Sequence, residues 1–120
     1  FSLPPAELAL LSVFARRALA QEPPLPAPNK EIPDPGWAEL YLAELRQIAG
    51  LMGDLDETER ALREGMDGGY FSAHLSKLRK IIKRELGPAA EPYLISDGCS
   101  RPRRYSLNLP PAALHYVSVD

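Results

Sequence analysis

Seven cations in the second half of this 120-residue chain have the types and spacing to bind phosphate. They form two clusters: Lys77, Lys80, Lys83 and Arg84, then Arg101, Arg103 and Arg104. On a helix over residues 70–86, at about 100° per residue, Phe71, Leu75, Leu78, Ile82 and Leu86 share one side. Ala73, Ser76, Lys77, Lys80 and Arg84 lie opposite, with Lys83 at the border. Small residues near a helix N-terminus let the backbone enter a major groove, while cations further along reach phosphates. Ala73 and Ser76 are therefore the candidates to approach base edges. The arginines sit at or beside the tip of a hairpin wing, residues 97–104, where arginine can clamp the flanking backbone or enter a minor groove. The plainer reading of each cluster is a solvated helix face and a charged tip that discourages edge-to-edge pairing.

Other side chains carry less. His74 flanks the apolar side of the same helix and His115 lies far downstream; both read as packing or surface histidines. Two histidines and one distant cysteine do not make a zinc site. Cys99, in the hairpin loop, has no histidine near it in sequence to activate it. The acidic run Asp54, Asp56, Glu57 and Glu59 suits a helix start rather than a catalytic carboxylate pair. Neither G-x-x-x-x-G-K-[ST] nor G-x-G-x-x-G occurs, so phosphate-cradling glycine loops are not expected. No catalytic residue, metal or cofactor is expected.

The net charge of −2 conceals polarity along the chain. Residues 1–60 hold five Lys/Arg against ten Asp/Glu, whereas residues 61–120 hold nine against six. Basic character is thus local, and a nucleic-acid partner would meet one face only. At 45% hydrophobic and 25% charged, the composition is that of a globular domain, and the length suits one domain. The single cysteine precludes an internal disulfide framework, which fits a reducing cytoplasm. No signal peptide is evident, and no apolar run approaches the roughly 18 residues of a membrane span. The chain starts at Phe1, and its Leu-Pro-Pro opening reads as the entrance to a domain cut from a longer protein.

The elements that must position the cations follow from periodicity. A first helix is expected over Pro5–Ala20, capped by Ser2, with Leu8, Leu11, Ala15 and Leu19 at helical spacing. Residues 21–36 contain six prolines and read as a stiff surface loop. A second helix over Gly36–Met52 would bury Trp37, Leu40, Tyr41, Leu45 and Ile48. A short third helix starts near Asp54 or Asp56, with Asp56 and Glu59 at capping-box spacing. GMDGG at 65–69 ends it. The fourth helix runs from Tyr70 to Leu86 and stops at Gly87-Pro88. Period-two alternation then marks two strands, one through Tyr93 and Ile95, the other through Tyr105, Leu107 and Leu109. The expected fold class is α+β: a mostly helical winged helix-turn-helix with a two-stranded hairpin wing.

Three segments, FSLPPAELALLSVFARR, LSKLRKIIKRELGPAAEPYLI and RPRRYSLNLPPAAL, resemble the C-terminal region of a minor CRISPR-associated (CARF-type) protein family. The likeness covers roughly residues 1–20 and 70–114. It implies a winged-helix output module for a cyclic-oligoadenylate sensor lying upstream of this chain. The first helix and the L-x-x-L-R-K helix also resemble the winged-helix effector domains of response regulators. Many CARF proteins carry a HEPN ribonuclease motif, R-x₄₋₆-H. Here ten residues separate Arg63 from His74 and ten separate Arg104 from His115, so a HEPN-type nuclease is not expected. The expected function is binding of double-stranded nucleic acid, DNA favoured over RNA. The alternative is a protein-interaction or homodimerisation module in which the acidic first half and the Trp/Tyr-bearing second helix matter most.

Overall fold

The computed structural model describes residues 3–49, 55–96 and 104–107. Four helices and three short strands follow in the order α1 (Pro5–Leu19), β1 (Leu25–Pro26), α2 (Pro35–Ala49), α3 (Asp56–Ala61), α4 (Gly68–Leu86), β2 (Ile95–Ser96) and β3 (Arg104–Leu107). The class is α+β. The strands form one antiparallel sheet in the order β1-β3-β2, with Leu25 opposite Tyr105 and Ile95 opposite Leu107.

The sheet corrects the expected two-stranded hairpin. Its third strand comes from the proline-rich segment, which is not a plain surface loop. Pro26 has no N–H to donate, so its strand can only be an edge. The segment is tied down along its length. Trp37 Nε1 donates to the Pro26 carbonyl at 2.8 Å and Arg17 Nη2 to the Pro23 carbonyl at 2.9 Å. The Gly68 N–H donates to the Asn29 carbonyl at 2.9 Å. Asn29 Oδ1 in turn accepts from the N–H groups of Glu31 and Ile32, an Asx turn.

Each helix start has a local cause. Pro5 stands at the first helical position of α1, where a missing N–H costs nothing. Pro4 is the N-cap of α1, and the proposed cap Ser2 lies outside the described residues. Asp34 Oδ1 accepts from the Trp37 N–H and opens α2. Asp67 does the same for α4 through the Tyr70 N–H at 2.8 Å. That cap starts α4 two residues before the position its apolar periodicity suggests. In α3 the cap position is Leu55 and Asp56 is already helical, so the expected capping box does not form. The α4 helix ends at Gly87 with φ of 55°, a left-handed stop that glycine tolerates.

The core joins α1, α2, α4 and the inner face of the sheet. Phe71 is 1% exposed and lies with ring centroids 5.1 Å from Trp37, 5.2 Å from Tyr105 and 6.4 Å from Phe14. The apolar stripe of α4 is buried at Phe71, Leu75, Leu78 and Ile82, with Leu86 half-buried. Two expected core positions differ. Leu40 sits at the margin of the α2 stripe and is exposed. Tyr93 falls in a 3₁₀ turn over Glu91–Tyr93, not in a strand, and is exposed as well; Pro92 within that turn interrupts the alternation.

A backbone bridge pairs Asp34 with Met66, joining the start of α2 to the α3–α4 connection. Gly65 next to it has φ of 131°, and a Cβ there would lie 2.6 Å from the Asp34 carbonyl carbon. Gly65→Ala is expected to cost about 1–3 kcal/mol through backbone strain. Urea unfolding of the purified variant measures it; an unchanged midpoint would contradict this account of the bridge.

Candidate nucleic-acid interface

The outward side of α4 carries the first cation cluster. Ala73, Ser76, Lys77, Lys80, Lys83 and Arg84 are all exposed, opposite the buried stripe. The face thus has small residues in its N-terminal half and cations in its C-terminal half. Among the described residues no carboxylate lies in ion-pairing range of Lys80 or Lys83, and Arg84 meets only its exposed neighbour Glu85, at 3.5 Å. Such an exposed pair holds little charge in check.

Both margins of this face are pinned by polar contacts the sequence reading missed. On one margin Arg79 Nε and Nη2 donate to the Ile95 carbonyl at 3.2 and 2.7 Å, fixing β2 against α4. On the other, His74 Nδ1 lies 3.0 Å from Glu7 Oε1 of α1, and Lys77 Nζ lies 3.9 Å from the same oxygen. Glu7 is 1% exposed, and its second oxygen has no hydrogen-bond partner among the described residues. A signal for Glu7 exists: it lies three and seven residues before Leu10 and Phe14, on the buried stripe of α1. Arg79 gives a weaker one, as a cation flanked by the core positions Leu75, Leu78 and Ile82.

Two tyrosines complete this margin. Tyr70 OH donates to Tyr41 OH at 3.3 Å, and Tyr41 OH donates to the Ala6 carbonyl at 3.2 Å. Burial pushes the Tyr41 phenol well above its ordinary value of 10.0, with the Tyr70 hydrogen bond and the nearby Tyr70 and Glu7 charges acting the same way. Burial also raises Tyr70, aided by Glu7 and opposed by its bond to Tyr41. A raised value in the folded chain means that this stability is complete below pH 10.0 and drains away as pH climbs through the folded-state value. Tyr41→Phe is therefore expected to flatten the alkaline loss of stability. It should also cost about 1 kcal/mol at neutral pH through the lost hydrogen bonds. Denaturant melts at about pH 8 and about pH 11 check both effects; an equally steep alkaline loss in the variant would contradict the first.

The second cation cluster is only partly visible. Arg104 is exposed in β3. Strand alternation puts it on the sheet face opposite Tyr105 and Leu107, which pack inward. It is thus the first residue of the strand that follows the expected tip. Arg101, Arg103, Cys99 and His115 lie outside the described residues. His74 is a packing histidine held by Glu7, and no group of three or more His, Cys, Asp or Glu residues among the described ones could hold a metal ion. No helix among them is long and apolar enough to cross a membrane. Comparison with protein-family models, with known proteins and with solved structures returns no match, so any function assigned to the basic face rests on its own geometry and charge.

Proposed function

We propose that this chain binds double-stranded nucleic acid, DNA in preference to RNA, with α4 in a major groove. The observation that carries the reading is the outward face of α4, on which Lys77, Lys80, Lys83 and Arg84 follow Ala73 and Ser76. Cations on one exposed helix face neutralise phosphates, and small residues in the N-terminal half of the helix allow close approach to base edges. The element order also supports a winged helix: a strand between α1 and α2 pairs with the second strand of a hairpin that follows α4. Here α3 and α4 stand for the helix-turn-helix pair, joined by six residues, Leu62–Asp67, rather than the usual three or four. Arg101, Arg103 and Arg104 are assigned to backbone contacts from the hairpin. The likeness of the first and last segments to CARF-type proteins frames the domain as the output end of a cyclic-oligoadenylate-responsive protein.

The alternative is a protein-interaction or homodimerisation module without nucleic-acid binding; Trp37 and Tyr41 of α2 are core residues, 3% and 0% exposed, so its contact surface would come from other side chains. Fluorescence anisotropy with a labelled DNA duplex at low salt tests the proposal. Lys80→Ala/Lys83→Ala/Arg84→Ala is expected to lose on the order of 100-fold in affinity while remaining folded. Equal binding by the two proteins, or a salt-resistant dimer that binds no duplex, would sink it.

A further inference from the structure

The carboxylate of Glu7 lies beneath the basic face, and phosphate binding does not use it. It sits on α1 at 1% exposure, so water does little to screen its charge. The two nearby tyrosine hydroxyls do not donate to it, since Tyr41 OH donates to the Ala6 carbonyl and Tyr70 OH donates to Tyr41 OH. Its contacts among the described residues are His74 Nδ1 at 3.0 Å and Lys77 Nζ at 3.9 Å, both on α4. Lys77 is 61% exposed yet shares its charge with this buried anion, whereas Lys80 and Lys83 have no carboxylate in range among the described residues.

We infer that Glu7 is an internal counter-anion that competes with phosphate for Lys77, so that it limits the affinity of the α4 face and leaves Lys80 and Lys83 as its principal anion contacts. This rests on the phosphate-binding reading and assigns unequal weights to residues that look equivalent in sequence. A ligand phosphate at Lys77 must displace an attraction that already exists, and the negative charge lowers the potential of the whole face.

Glu7→Gln isolates the charge, because glutamine keeps the shape and an oxygen acceptor for His74. Glu39→Gln is the control with the same net charge. Glu39 is exposed on α2, two residues before buried Tyr41 and so on the opposite side of that helix. Both proteins are compared by retention on heparin, a sulfated polyanion, in a salt gradient, and by affinity for a DNA duplex. Glu7→Gln is expected to elute at higher salt than Glu39→Gln and to bind the duplex roughly threefold to tenfold more tightly. Coincident elution and equal affinity would overturn the inference. A heparin difference without duplex binding by any of the proteins would remove the duplex reading and leave the counter-anion role standing. Circular dichroism establishes that the variants fold. Should Glu7→Gln not fold, the surface pair Lys77→Gln and Lys80→Gln decides on heparin. Lys80→Gln is expected to lose more retention, and an equal or reversed loss overturns the inference.

Discussion

Phe71→Ala is expected to lower the unfolding free energy by about 3–5 kcal/mol, the range for removing a buried aromatic ring from a packed core. Phe71 is the side chain through which α1, α2, α4 and β3 meet, by way of Phe14, Trp37 and Tyr105. Deleting it removes three tilted or edge-on aromatic contacts together with the buried area, and each such contact adds about 0.5–1.5 kcal/mol beyond area alone. No smaller residue can collapse into a space bounded by three other rings on different elements. Native domains hold only about 5–15 kcal/mol in total, so the variant should show a markedly lower urea midpoint and populate unfolded chain at body temperature. Phe71→Leu, which retains most of the volume, should cost less than half as much. A loss below about 1 kcal/mol for Phe71→Ala would mean that this core is not closed around the ring.

The second large effect falls on binding. Lys80, Lys83 and Arg84 contribute nothing visible to the core: all three are exposed, and the one ion pair among them is the exposed contact between Arg84 and Glu85. Replacing the three with alanine should leave the melting curve nearly unchanged, since exposed charges of this kind are worth little to stability. The same substitutions remove most of the charge that α4 presents to a ligand. Stability and affinity should therefore separate cleanly in this variant, whereas in Phe71→Ala they should fall together. That contrast distinguishes a binding face from a merely solvated one.

The α4 face could be read in the sequence because a single helix with 3.6 residues per turn fixes which residues lie opposite Phe71 and Leu78. The packing of that face could not. Glu7 is visible as an acid on an apolar stripe, but its partners His74 and Lys77 are set by how α1 crosses α4, and periodicity carries no such information. The strand at Leu25–Pro26 was hidden for a similar reason. Two residues, one of them proline, have no alternation to detect, and their partners Arg104 and Tyr105 lie far down the chain. Leu40 and Tyr93 failed at margins. One stands at the edge of a helical stripe, and the other follows Pro92 into a 3₁₀ turn where strand alternation does not apply. Arg79 is a further cation of α4, yet its guanidinium is spent on the Ile95 carbonyl, which makes it a fastener of β2 rather than part of the exposed row.

The most direct test of the binding account is the salt dependence of duplex affinity. Anisotropy titrations of the wild-type chain with a DNA duplex across a salt series should give log K falling linearly with log salt, with a slope of about −6 for the seven assigned cations. Affinity should then drop roughly 4,000-fold between about 50 and about 200 mM salt, and the slope should shrink by about 3 in Lys80→Ala/Lys83→Ala/Arg84→Ala. No binding by folded protein at the lowest salt, or a slope that the triple substitution leaves unchanged, would contradict the assignment of α4 as the nucleic-acid-binding face.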